Sequence, residues 1–157
     1  MPDARIRRAA AADLPVLTRL WQTAFGDPVD GDAVAFEPLS KAYSIPKDDP
    51  NRDQIMEDAL YEASVVPMSI METVLAAARE LEILVEKGSR LAVSDVGVGI
   101  LFAQAAIEGA SLNVYINTKL MKNRERADEM NAKADAIIAE GAALQKSIYG
   151  GVLAAIK

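Results

Sequence analysis

The chain contains neither histidine nor cysteine, and those two absences bound its chemistry. Disulfides, thiol nucleophiles, histidine-based triads and the usual zinc ligand sets are all removed. Proton transfer must fall to Asp, Glu, Lys or Tyr. An all-oxygen Mg²⁺ or Ca²⁺ site would be compatible with this composition, but there is no D-x-D-x-D-G loop and no metal is expected. Among the acids, Asp95 is marked by position. In the stretch 94–117, SDVGVGILFAQAAIEGASLNVYIN, it falls in the first turn of a helix for which Ser94 is the expected N-cap, where the helix dipole favours negative charge. An ordinary first-turn charge would sit there too. Phe102, Ala106, Gly109, Asn113 and Asn117 follow at spacings of three and four, so they share one helix face. That face is expected to be buried, its small residues admitting a close neighbour. The two carboxamides on it need hydrogen-bond partners, which another helix or a ligand can supply. Asp32 sits at the start of an earlier helix, and Lys119, Lys122, Arg124 and Arg126 form a basic cluster that alone reads as a solvated helix end.

The elements that must position these residues are helices. Arg5–Ala9 reads as a short strand, and Asp13 caps a helix carrying Leu14, Leu17, Leu20, Trp21 and Phe25, which stops at Gly26-Asp27-Pro28. A seam at residues 29–31 precedes a helix from Asp32 to about Tyr43, with Asp32, Phe36, Leu39 and Tyr43 along one side and Pro38 bending it. Asp49 is the expected N-cap, with Pro50 at the first position, of a helix from Asn51 to about Val65. Pro67 is expected to kink or restart that helix, and Ile70, Val74, Ala77, Ala78, Leu81, Leu84 and Val85 carry it to Lys87, with Gly88 ending it. After the central helix the pattern weakens at residues 117–123. A last helix from Arg124 to Gln145 turns Ala127, Met130, Ala134, Ile137, Ile138 and Ala142 inward, and Gly150-Gly151 should break it before a short tail. The expected fold class is all-α, a bundle of long helices.

At 157 residues, 51% hydrophobic and 25% charged, the chain is the size of one domain able to bury a core. Aromatics are few, at 5%, which favours helix packing through small side chains. The 17 basic and 23 acidic residues leave −6, which argues against nucleic acid or an anionic membrane as the main partner. No apolar run of transmembrane length and no signal-peptide pattern is apparent, so a cytoplasmic location is the default.

Two resemblances follow from quoted residues. Ile6-Arg7, Ala9, Asp13-Leu14, Leu17, Leu20-Trp21 and Phe25-Gly26-Asp27 resemble the opening strand and helix of the GNAT acetyltransferases. The Q/R-x-x-G-x-G/A loop that would cradle a coenzyme A pyrophosphate is absent, so no acetyltransferase activity is read from them. From residue 30 onward the order of motifs is different in kind. Asp30-x-Asp32-Ala33-x-Ala35-Phe36, Ala42-Tyr43-x-x-Pro46-Lys47, Val66-Pro67, Lys87-Gly88, Ser94-Asp95-x-Gly97-Val98, Gly109-Ala110 and Asn113-Val114-x-Ile116-Asn117 resemble the formiminotetrahydrofolate cyclodeaminase / methenyltetrahydrofolate cyclohydrolase family. The chain therefore divides into a segment 1–28 of its own character and a helical domain 29–157. The family's upstream P-x-P-G-G-G-[SA] segment has no counterpart in residues 1–29.

The resemblance implies an all-helical, usually dimeric subunit that binds reduced folate between helices, with a tetrahydrofolate derivative as substrate and no tightly bound cofactor. It implies closure of 5-formiminotetrahydrofolate with loss of ammonia, or interconversion of the methenyl and 10-formyl forms with water. Both move protons at a one-carbon centre beside N5 and N10, which a partly desolvated carboxylate can do. Asp95 and Asp32 become the catalytic candidates, Asp95 as base or charge-stabilising partner. Tyr43, Lys47, Ser94, Asn113 and Asn117 become substrate-binding candidates, and the basic cluster suits a polyglutamate tail. The alternative is a helical oligomer that keeps the packing core without the chemistry. Without the upstream segment an apolar face is expected to stay open, to be covered by a second copy or by residues 13–25.

Overall fold

The computed structural model describes residues 37–89 and 91–157. The expectations placed on residues 1–36, among them the short strand, the helix over 13–25 and Asp32, lie outside the described residues. Within them the fold is all-α, with no strand. A helical segment at 37–43 precedes three long helices: α1 (Arg52–Lys87), α2 (Val93–Thr118) and α3 (Arg124–Ile156). Paired residues give the topology. Asn117 of α2 meets Ala63 of α1, and Gly97 and Gly141 bring Val152 and Ile107 across the α2–α3 seam, so α2 runs against both. Glu72 with Lys133 and Arg79 with Glu140 run in the same order on α1 and α3, which makes those two parallel. The connections 88–92 and 119–123 are short, as an up-down-up arrangement requires.

One core cluster lies between the three helices, built on Met71, Val74, Ala78 and Leu81 of α1, Ile100, Ala103, Ile107 and Val114 of α2, and Ala134, Ile137, Ile148 and Val152 of α3. A smaller one at the other end packs Leu39 and Ala42 onto Ala59, Leu60, Ala63, Met121 and Ala127. Arg52 Nε donates to Ile45 O at 3.1 Å and ties the connecting turn to α1.

Several expectations are corrected. Of the kink or restart expected at Pro67, the restart does not occur, because α1 runs unbroken through it for 36 residues. A proline has no N–H, so the carbonyl four residues earlier, that of Ala63, loses its helical donor. Asn117 Nδ2 reaches across from α2 and donates to that same Ala63 oxygen at 3.2 Å. Nor does Gly150-Gly151 break α3, which continues to Ile156. Gly151 lies against Val85, where a Cβ would come within 3.2 Å of its Cγ1, and Val152 is buried, so packing holds the last turns. Ala142 is exposed and its neighbour Gly141 is the buried one. The α1 N-cap is Asn51, while Asp49 Oδ1 accepts from Asn51 N at 2.8 Å as a turn residue. Ser94 is not a cap: the first helical bonds run to Ala92 O, Ala92 is the N-cap residue, and no side chain caps the end.

The largest correction concerns α2. The face of Phe102, Gly109 and Asn113 is exposed, and the buried face carries Val96, Ile100, Ala103, Ile107, Ser111, Val114 and Thr118. The helix is apolar on both sides, so spacing alone does not say which side turns inward. Its apolarity also corrects the reading of run length. Arg52–Val85 and Val93–Thr118 are long and apolar enough to cross a membrane by length and composition, with windows 50% and 39% buried inside the fold. Core helices pass the same test.

A polar pair links α2 to α3 near one end. Tyr115 donates its hydroxyl to Asp135, and burial, then that bond and the carboxylate charge, push its phenol up from 10.0 to about 12.

Five outcomes follow. Asn117→Ala, leaving a part-buried carbonyl unpaired, should cost about 1–3 kcal/mol in urea unfolding. In a Pro67→Ala background, where residue 67 regains its N–H, that cost should fall by at least half in a double-mutant cycle. Gly97→Ala should destabilise, since its Cβ would stand 2.9 Å from Cγ1 of buried Val152 and overpacking costs about 1–3 kcal/mol. Gly150→Ala, with no atom within 4 Å, should stabilise by up to ~1 kcal/mol through helix propensity. Finally, a phenol whose pKa is raised on folding contributes stability below its unfolded value, and that contribution is lost as pH rises to the folded one. Stability should therefore decline between pH 10.0 and about 12, with a shallower slope in Tyr115→Phe.

Candidate functional site

Helix α2 carries candidates at both ends, and its length keeps them apart. Asp95 is in its first turn and exposed, as is Ser94. The Asp95 backbone N–H donates to Ala92 O at 3.1 Å, and no hydrogen bond or ion pair reaches its carboxylate among the described residues. Asn113 and Asn117 lie near the other end, where Asn113 is exposed and Asn117 partly buried. Twenty-two residues at 1.5 Å each separate Asp95 from Asn117 by about 33 Å. One chain therefore does not bring Asp95 to the asparagines.

The end of α2 distal to Asp95 is the better formed. A cavity of about 230 Å³ opens there between Tyr43, Arg52, Asp53, Glu57, Leu120 and Lys122. Tyr43 is half exposed beside it, and Lys47 is exposed in the turn that follows. The structure thus joins Tyr43 to Lys122 of the basic cluster. Lys122 Nζ lies 2.5 Å from Asp53 Oδ2, and its hydrogen bond and charge hold the Asp53 carboxyl below the usual carboxylate range. The Lys122 N–H donates to Glu57 Oε2 at 2.6 Å.

Glu57 was not distinguishable in the sequence from the other acids of its helix, yet its Oε1 is buried with no hydrogen-bond partner. A carboxylate with one oxygen held by a backbone N–H and the other unpartnered beside a cavity can accept a hydrogen bond from a bound molecule. No sequence signal could have found it, because the partner arrives from 65 residues away.

The rest of the basic cluster has structural work. Arg124 donates to Thr118 O at 2.8 Å and Met121 O at 3.3 Å, closing the end of α2 as a C-terminal cation does. Asn123 accepts from Arg126 N and caps α3. The Arg126 guanidinium lies 3.3 Å over the Tyr61 ring, a cation–π contact, and forms one wall of a second cavity of about 510 Å³ with Glu72 and Lys133. Among the described residues, no group of three acidic side chains is gathered closely enough to hold a metal ion.

Comparison with known proteins matches this geometry to a family. The family model described as formiminotransferase-cyclodeaminase matches residues 10–136, a span that begins inside the segment 1–28 and includes Asp32. Methenyltetrahydrofolate cyclohydrolase of Methylorubrum extorquens is 34% identical over 122 residues, covering 75% of this chain and 59% of that protein. Formimidoyltransferase-cyclodeaminase of Sus scrofa is 36% identical over 95 residues, covering 58% of this chain and 18% of that one. The crystal structure of formiminotetrahydrofolate cyclodeaminase from Thermotoga maritima superposes with a TM-score of 0.66 at 27% identity, over 82% of this chain and 63% of that one. The chain therefore spans less than two thirds of the length of each of these relatives. With most of its length inside one family model and an all-helical fold shared with that enzyme, the chain belongs to the formiminotransferase-cyclodeaminase family.

Proposed function

We propose that the chain acts on a reduced folate at the one-carbon stage, as a cyclodeaminase or a methenyltetrahydrofolate cyclohydrolase. The observation that carries this reading is the family match over residues 10–136, supported by relatives named for those two reactions. In this reading Asp95, at the helix end that favours an anion, takes or steadies the proton moved beside N5 and N10, and Asp32 assists. Tyr43, Lys47, Ser94 and Asn113 contact the substrate. Asn117 joins them with its amide already committed to Ala63. Lys119 and Lys122, at the same end as Tyr43, attract the acidic tail of a folate. The chain works in the cytoplasm as a homodimer.

A second reading, a helical oligomer without chemistry, draws on one observation: Asp95 stands exposed about 33 Å from Asn117. A reduced folate that binds the native state alone must raise the melting temperature, and a scaffold would show no such rise.

The deciding experiment follows the methenyl-bridge absorbance of 5,10-methenyltetrahydrofolate with wild-type protein, with Asp95→Asn and without protein. Wild type is expected to accelerate the decay, and Asp95→Asn to lose about 10²-fold or more of that acceleration, the usual worth of a general base. If all three traces coincide, and the formimino substrate is likewise left unchanged, the enzymatic reading is wrong.

A further inference from the structure

The first two turns of α1 carry Arg52, Asp53, Met56, Glu57 and Leu60 at spacings of three and four, on the side that lines the cavity beside Tyr43. Two of the charges there cancel, since Lys122 Nζ lies 2.5 Å from Asp53 Oδ2. Two others are unmatched. Glu57 has its Oε2 held by the Lys122 N–H at 2.6 Å, while its Oε1 is buried with no hydrogen-bond partner. Arg52 commits its Nε to Ile45 O, and no carboxylate pairs with its guanidinium among the described residues. Arg52 also stands in the first turn of α1, where the helix dipole opposes a cation.

A buried carboxylate oxygen without a donor and a cation at the wrong end of a helix both destabilise the free chain. One bound molecule offsets both if it brings an N–H donor and an anion set close together. The remaining walls are apolar or aromatic: Met56, Leu60 and Leu120, with the half-exposed ring of Tyr43. Such walls suit a flat aromatic body. The volume, about 230 Å³, falls short of the roughly 300–1,000 Å³ of sites that enclose a whole drug-sized ligand, so the cavity takes part of a molecule. A flat ring joined through an amide N–H to a carboxylate is an aroyl amino acid. A reduced folate contains one, its p-aminobenzoylglutamate half. The pterin half offers N–H donors but no negative charge, and would leave Arg52 unmatched.

We infer that this cavity is the subsite for the p-aminobenzoylglutamate half of the substrate, from which the one-carbon half projects. The benzoyl ring lies against Tyr43 and the apolar walls, the amide N–H donates to Glu57 Oε1, and the α-carboxylate pairs with Arg52. Glu57 is then a specificity-determining residue, because the Lys122 N–H fixes its carboxylate and so aims the free oxygen. The inference rests on a reduced folate as substrate, and adds to that reading which half this end of the bundle holds and by which groups.

The test uses p-aminobenzoyl-L-glutamate itself, which has no one-carbon unit to react, titrated into the full-length chain by calorimetry. Wild type is expected to bind it. In Glu57→Gln the amide oxygen can still accept from the Lys122 N–H, but an NH2 group then stands where the free oxygen was. Binding should weaken at least about tenfold, as loss of a hydrogen bond to a charged group does, with no fall in melting temperature. The ester analogue of the probe, in which oxygen replaces the amide N–H, should lose a similar factor with wild type. With Glu57→Gln it should lose little more, the coupling expected of two groups in contact.

Equal binding of amide and ester by wild type would overturn the subsite, and that comparison holds even where Glu57→Gln folds poorly. Equal binding of the probe by a folded Glu57→Gln, or none by wild type, would overturn it too. Binding of the probe with the methenyl and formimino substrates left unchanged would instead sink the enzymatic reading and leave the subsite standing. Turnover without binding of the probe would do the reverse.

Discussion

The bond from Asn117 Nδ2 to Ala63 O is the contact on which the arrangement of the first two long helices depends. Pro67 leaves that carbonyl without a helical donor, and a part-buried carbonyl without one costs as much as several good apolar contacts can supply. The neighbouring helix meets the need with a carboxamide, which fixes the height of α2 against α1. From that register follow Lys122 against Glu57 and Asp53, and so the walls of the cavity beside Tyr43. A local defect in one helix is thus met by a residue only five positions before Lys122, which lies in the connection that follows α2.

Close approach does the same at the opposite end. Gly97, Gly141 and Gly151 stand where a methyl group would press on Val152, on Gln104 and Ile107, and on Val85 respectively. Small residues at these crossings let three long helices pack with few aromatics, as the composition suggested. Helical propensity is spent to gain dispersion contacts against side chains of the core and its edge.

The all-α class, the loop before Arg124, the placement of Asp95 in a first turn and the inward face of α1 were legible in the sequence, because each rests on local spacing or capping chemistry. What escaped it was decided by tertiary partners. Pro67 and Gly150-Gly151 look like breaks until Asn117 and the buried Val152 are brought beside them. The inward side of α2 was illegible because both sides are apolar, and the choice belongs to whatever packs there. Ser94 resembles a cap by type, yet the turn from Ser89 to Ala92 starts the helix earlier. At the site, Tyr43 lines one cavity with Leu120 and Lys122, a neighbourhood that no local spacing announced. Glu57 gained its place from a contact 65 residues distant, beyond the reach of any local pattern.

The apolarity of α2 also bears on the nascent chain. Until α3 has been made, a 26-residue helix that by length and composition could cross a membrane has no intact core to join. Glu108 lies near its middle, and a charge at the centre of a bilayer costs on the order of 2.5–3.5 kcal/mol even on insertion-based scales. The same carboxylate that bonds Gln104 in the finished fold is thus a barrier to mistargeting before the fold exists.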